Sequence, residues 1–133
     1  MPITLHDIPA LSLPLHAVWR VKAICIDSKS PALTHLITWQ KFDPKAYKAI
    51  IKAIEMAAVT YRITNRKHVG KNQNPDHGDV YEFIAYTFRP RLMFFYDESE
   101  QFIVCTNGHD KSGSRSQDAA FGKCAAFKKL YLQ

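Results

Sequence analysis

The chain has 133 residues, of which 47% are hydrophobic and 12% aromatic, and a net charge of +6. A chain of this size can bury one core without staples, and this composition excludes wholesale disorder. No apolar run approaches the ~18 residues of a membrane span, and the proline-broken N-terminus has no basic start ahead of an apolar stretch, so one cytoplasmic domain over 1–133 is expected, with no signal peptide.

Residues 1–15, punctuated by Pro2, Pro9 and Pro14, read as an irregular N-terminal arm packed on the body. From 16 to 27 the pattern alternates, with Trp19, Val21, Ala23 and Cys25 on one strand face and Arg20 and Lys22 on the other. Ser30 before Pro31 starts a short helix carrying Leu33, Leu36 and Ile37. Asp43 and Pro44 open a second helix, expected over 45–62, whose apolar stripe is Tyr47, Ile50, Ile51, Ile54, Ala57, Ala58 and Tyr61. Lys45, Lys48 and Lys52 lie off that stripe. Residues 63–79 form a long polar loop with Arg66, Lys67, His68, Lys71 and His77, and a loop of that length is usually functional or mobile. Three antiparallel strands follow over 80–88, 91–96 and 101–106, with a hairpin turn at 97–100. Residues 107–113 read as a second polar loop. A last helix, capped by Ser114 or Ser116, reaches Leu132 with Phe121, Cys124, Ala125, Phe127 and Tyr131 inward. The order β-α-α-β-β-β-α describes an α+β fold, a small antiparallel sheet with helices packed on one face.

Eight basic residues between Lys41 and Lys71 stand against only Asp43 and Glu55, so this stretch carries the whole net charge. Such a block fits a polyanion partner, nucleic acid or an acidic protein, and equally a solvated lysine face. Cys25, Cys105 and Cys124 are widely spaced among apolar neighbours with no C-x-x-C pair, and read as buried thiols of a reducing compartment. Hydrolase motifs and phosphate-cradling glycine loops are missing. His68, His77 and Asp79, and the pair His109 and Asp110, lack recognised ligand spacing, so no metal and no cofactor is expected.

The remaining chemistry gathers at one sheet end. Arg89 and Arg91 lead into one strand, His109 and Lys111 leave its partner, and Arg115 opens the last helix. Antiparallel pairing sets the start of one strand beside the end of the next, so Arg91 should meet residues 106–111. Such a cluster suits RNA cleavage by 2′-hydroxyl attack: arginine or lysine stabilises the phosphorane, histidine or lysine exchanges protons, and no metal is required. The plainer reading is that Arg89 and Arg91 pair with carboxylates at a strand end.

The runs Val80-Tyr81-Glu82-Phe83, Arg91-Leu92-Met93-Phe94-Phe95-Tyr96 and Phe102-Ile103-Val104-Cys105-Thr106-Asn107-Gly108-His109-Asp110-Lys111, followed by a helix, resemble the RelE/HigB-like toxins of type II toxin–antitoxin systems and their phage-derived relatives. The likeness covers about 80–132, and the upstream strand and helix pair fit the same order. It implies a small ribonuclease that cuts mRNA in the ribosomal A site and is inhibited by a cognate antitoxin, often of the helix-turn-helix type. Carried over by position, Arg91 resembles the phosphate-stabilising arginine and Lys111 the basic residue of the C-terminal turn, with His109 adjacent for proton transfer. Lys45, Lys48 and Lys52, with Lys67, Lys71, Arg89 and Arg115, would contact RNA phosphates, a salt-sensitive and sequence-blind attraction. Two other readings stand beside it: a non-catalytic RelE-like fold that binds a protein or RNA partner, as an inhibitor or prophage remnant, and a gyrase-directed relative.

Overall fold

The computed structural model describes residues 2–62, 67–110 and 113–133. Its elements are β1 (Ile3–Asp7), β2 (Arg20–Ile26), α1 (Pro31–Phe42), α2 (Pro44–Ala58), β3 (Val69–Lys71), β4 (Tyr81–Ile84), β5 (Pro90–Asp97), β6 (Phe102–Asp110) and α3 (Ser114–Tyr131). They build an α+β fold around one six-stranded sheet of order β1-β2-β6-β5-β4-β3. No helix among the described residues is long and apolar enough to cross a membrane.

Both expected helix starts form as the capping chemistry requires. Ser30 accepts a hydrogen bond from the Leu33 amide, and Asp43 from the Ala46 amide. Pro31 and Pro44 each occupy a first turn, where no amide hydrogen is needed. Asp43 also donates its own amide to the Trp39 carbonyl, so one residue closes α1 and opens α2.

The sheet is mixed, not purely antiparallel: β2 pairs parallel with β6, and the other neighbours are antiparallel. The helices do not share a face either. Helices α1 and α2 bury Leu36, Trp39, Ile50 and Ile54 against Val21, Phe83, Leu92, Phe94 and Ile103. Helix α3 buries Phe121 and Cys124 against Ile24, Met93, Phe95 and Val104 on the opposite face. Alternate residues of β5 and β6 thus feed two cores, which is why both strands read as continuous apolar runs.

Two strands lie where loops were expected. The N-terminal arm contributes β1, which pairs with β2 and lays Ile3 and Leu5 on the α3 core. The polar loop contributes β3, paired with β4 through Val69 and Phe83. Helix α2 stops at Ala58, short of Arg62, because the chain beyond it is held elsewhere. The amides of Val18 and Trp19 donate to the Ala58 carbonyl at 2.8 and 3.0 Å. The Trp19 indole donates to the carbonyls of Thr60 and Tyr61, both at 3.1 Å. Strand β6 extends to Asp110, so His109 sits on a strand and not in a turn. Helix α3 begins at Gly113 without a side-chain cap; Ser114 is already helical, and Ser116 is turned toward His109.

A bulge sets the end of the β5–β6 hairpin. Phe94 pairs with Cys105 and Met93 with Asn107, so Thr106 is the extra residue. Its hydroxyl donates to Asn107 Oδ1 at 2.6 Å and lies 3.4 Å from the Met93 carbonyl, fully buried. Thr106→Val keeps the shape and leaves these acceptors unpaired. It is expected to lower the unfolding free energy by about 1–3 kcal/mol, read as a shifted urea midpoint with an unchanged slope.

Candidate functional site

Beyond the bulge, Arg91 pairs with His109 across the hairpin, and Ile84 with Arg91 across β4–β5. These residues share the α3 face with Glu82, whose charge interrupts the apolar run of β4. Gln117, from the second turn of α3, donates to Glu82 Oε2, and Ser116 Oγ lies 3.3 Å from His109 Nδ1. Five polar side chains from three strands' ends and one helix therefore meet at one end of the sheet. Arg91 and residues 106–110 come together there as antiparallel pairing requires.

Arg91 is deeply engaged. Its Nη1 donates to the carbonyls of Phe88, Pro90 and Arg89 at 2.8, 3.0 and 3.2 Å. Its Nε lies 3.7 Å from Glu82 Oε1, an ion pair longer than a hydrogen bond, with the two side chains only 12% and 5% exposed. Burial lowers the arginine's pKa, and the Glu82 carboxylate opposes that shift. The turn that Arg91 ties together contains Thr87 at φ +73°, a left-handed conformation costly for a β-branched residue. Arginine at 91 thus closes a strained turn and neutralises a buried carboxylate while standing beside His109.

Next to this cluster lies a cleft of about 710 Å³. Helix α3 packs on β5 and β6, so the same face of β4 and β3 is left open. Gly70, Ile84 and Tyr81 line the sheet side, and Ser114, Gln117, Asp118 and Phe121 the helix side. The loop after β3 is built on Asn72, which is buried and donates to the carbonyls of Asn74 and Gly78 at 2.7 and 3.0 Å. Asn74 Nδ2 reaches Asp118 Oδ1 at 3.0 Å, and His77 Nε2 lies 3.1 Å from the same oxygen. The Asn74 hydrogen bond, which is the largest effect, holds the Asp118 carboxyl below its usual range; burial opposes it, and the His77 charge and hydrogen bond add to the lowering. This bridge fastens the loop to α3 across the cleft.

The expected phosphate-binding residues divide between surfaces. Lys45, Lys48 and Lys52 are exposed on α2, behind the sheet from Arg91 and His109. Exposed Lys71 lines the cleft, 3.4 Å from Asp79. Lys67 is exposed with its ammonium 5.1 Å from the Tyr86 ring centre. Arg89 and Arg115 are exposed near the sheet end. Arg62 does not belong to the outward basic face: it pairs with Glu98 and stacks 3.9 Å over Tyr96. Lys111 and Arg66 lie outside the described residues. The three cysteines are buried and unpaired, and burial raises the Cys105 and Cys124 thiols, the latter to about 12, so both stay protonated.

Sequence reasoning passed over Glu82 and Gln117 as site residues. The signal for Glu82 was its place between Tyr81 and Phe83, since a carboxylate on a buried strand face requires a partner. The Asn74–His77–Asp118 bridge spans more than forty positions, and no local pattern marks it. Comparison with protein families, with curated proteins and with solved structures finds no match.

Arg91→Ala is expected to destabilise the fold by about 3 kcal/mol, because it takes the guanidinium charge away from a buried carboxylate and frees the turn; equilibrium urea unfolding measures this. Asp118→Ala is expected to speed hydrogen exchange over 72–78 without loosening β5 and β6. In the unaltered chain the same loosening should appear at low pH. A depressed carboxyl contributes stability above its unfolded pKa of ~3.9 and loses it as pH falls through the folded value.

Proposed function

We propose that this chain is a RelE/HigB-like toxin that cleaves mRNA on the ribosome, with the Arg91–His109 pair as its reaction centre and a cognate antitoxin as its inhibitor. The single observation carrying this reading is the register that sets Arg91 opposite His109, with Ser116 holding the imidazole. The run β2-α1-α2-β4-β5-β6-α3 supports it as well, since it contains the expected order once β1 and β3 are set aside.

The chemistry follows from these groups. The 2′-hydroxyl of a nucleotide attacks the adjacent phosphorus, and His109 takes its proton. The guanidinium of Arg91 stabilises the negative charge that builds on the phosphorane oxygens. The bond to the 5′-oxygen breaks, and Lys111, two positions after His109, returns a proton to that leaving group. The products are a 2′,3′-cyclic phosphate and a free 5′-hydroxyl. Lys45, Lys48 and Lys52, on the opposite side, attract ribosomal RNA phosphates without reading sequence.

The engagement of Arg91 favours a second reading, in which the arginine is purely structural and the chain is a non-catalytic partner-binding relative. The gyrase-directed alternative gains no particular observation. Added to cell-free translation, the purified chain should create new mRNA 5′ ends, mapped by primer extension, only on translated message. His109→Ala should reduce them by about 100-fold or more with the melting temperature unchanged. Intact message and normal translation would sink the nuclease and leave the second reading. His109→Ala is the cleaner variant, because loss of cleavage in Arg91→Ala would also follow from a disturbed turn.

A further inference from the structure

We infer that the pocket between the first turns of α1 and the second half of α3 takes a small free carboxylic acid, its apolar tail lying between the helices and its carboxylate meeting Lys123. This goes beyond the RNA reading and does not depend on it.

The pocket exists because the sheet opens here. Strand β2 pairs with β6 only from Arg20 and Phe102 to Ala23 and Cys105, and the bulge at Thr106 follows at once. Strand β6 runs on to Asp110 without that pairing. Helices from the two layers therefore approach each other across the gap. Pro31 and His35 of α1 stand on one side, Ala126, Phe127 and Leu130 of α3 on the other, and Gly108 of β6 lies between them. Glycine at 108 lets α1 settle on the strand, since a Cβ there would lie 2.7 Å from Trp39 and 2.9 Å from His35.

The lining sets the ligand class. The volume is about 350 Å³. That is room for roughly a dozen heavy atoms at the ~30 Å³ share of a water molecule, and mainly apolar walls with few polar groups are those of a small-molecule site. Pro31, Ala126, Phe127 and Leu130 offer a ligand only apolar side-chain surface. His35 adds no charge: burial lowers its pKa, and its Nδ1 lies 3.2 Å from the Pro31 carbonyl. Asp110 raises that pKa and Lys123 lowers it, so both charges stand within reach of the ring. Of the two, Lys123 lines the pocket and Asp110 does not. Lys123 is exposed and has no ion-pair partner among the described residues. A lysine so placed lays its stem along the apolar wall and holds its ammonium at the rim. A carboxylate on an apolar tail meets both demands. The tail leaves water, and the head pairs with the ammonium where solvent still reaches it, so no charge is buried.

The test uses the full chain, ¹⁵N-labelled, titrated separately with octanoate, octylamine, acetate and N-acetyl-glycyl-leucine. Saturable amide shifts centred on Gly108, Lys123, Ala126 and Phe127 are expected with octanoate. Octylamine has the same tail with the opposite charge and should bind at least about fivefold more weakly. Acetate has the head without the tail and should leave these amides unmoved. The peptide acid should bind more weakly than octanoate. Lys123→Ala should bring octanoate and octylamine to within about twofold of each other. Ala126→Phe, at an exposed position, should fill the space and abolish the octanoate shifts with the urea midpoint unchanged. The assignment is overturned by the absence of a saturable shift at millimolar octanoate, by equal binding of octylamine, or by octanoate binding that survives Ala126→Phe. Tighter binding of the peptide acid would overturn it in favour of a protein C-terminus. No RNA or ribosome enters the titration, so its outcome is separate from that of the cleavage experiment.

Discussion

One extra residue in β6 decides which side chains share a face at this end of the sheet. Strand side chains alternate, so a one-residue shift exchanges every side chain between faces. Before the bulge, Ile103 and Cys105 face α1 and α2 while Val104 faces α3. After Thr106 the parity is reversed: the Asn107 amide donates to the Ala120 carbonyl of α3, and a Cβ on Gly108 would lie 2.7 Å from Trp39 of α1. His109 therefore joins Arg91 on the α3 face. Without the bulge it would point into the other layer, away from the arginine. The bulge is held by a buried hydroxyl and a buried amide, and polar groups so placed stay buried only when their hydrogen bonds are made.

The electrostatics of that sheet end form one connected problem. Glu82 is a carboxylate on a buried face. Gln117 and Arg91 offset its charge from two directions, and Arg91 in turn ties down the strained turn at Thr87. Burial disfavours the charged arginine, while the carboxylate and the three carbonyls favour it. Under the proposed reading, a guanidinium fixed in this manner would need no ordering by a phosphate. The same fixation explains why its structural and chemical contributions have to be separated by measurement at His109.

Much of the fold was legible because local chemistry and tertiary packing agree. The Ser30–Pro31 and Asp43–Pro44 starts depend only on cap and proline geometry, and tertiary context preserves both. The hairpin between β5 and β6 follows from apolar runs separated by a polar turn, and from it came the meeting of Arg91 with His109. Features set by distant partners were not legible. Strand β1 is five residues of Ile-Thr-Leu-His-Asp whose pairing is dictated by the open edge of β2. The three residues of β3 carry no period of their own. The stop of α2 is imposed by Trp19, some forty positions upstream, against a stripe that continues to Tyr61. Placing α3 on the opposite face required seeing that β5 is apolar on both sides. Within the site, Arg91 and His109 were visible through pairing, whereas the cleft was hidden because β3 forms one of its walls.

The claim on which the rest turns is that RNA reacts at the α3 face of the sheet end. The most direct measurement is a cryo-electron microscopy structure of the chain on a ribosome carrying mRNA with 2′-O-methyl groups in the A site, where attack is blocked. The account predicts an A-site phosphate within hydrogen-bond reach, about 3 Å, of both the Arg91 guanidinium and the His109 imidazole. A chain bound with the α2 lysines toward the message and the Arg91–His109 end facing solvent would contradict it.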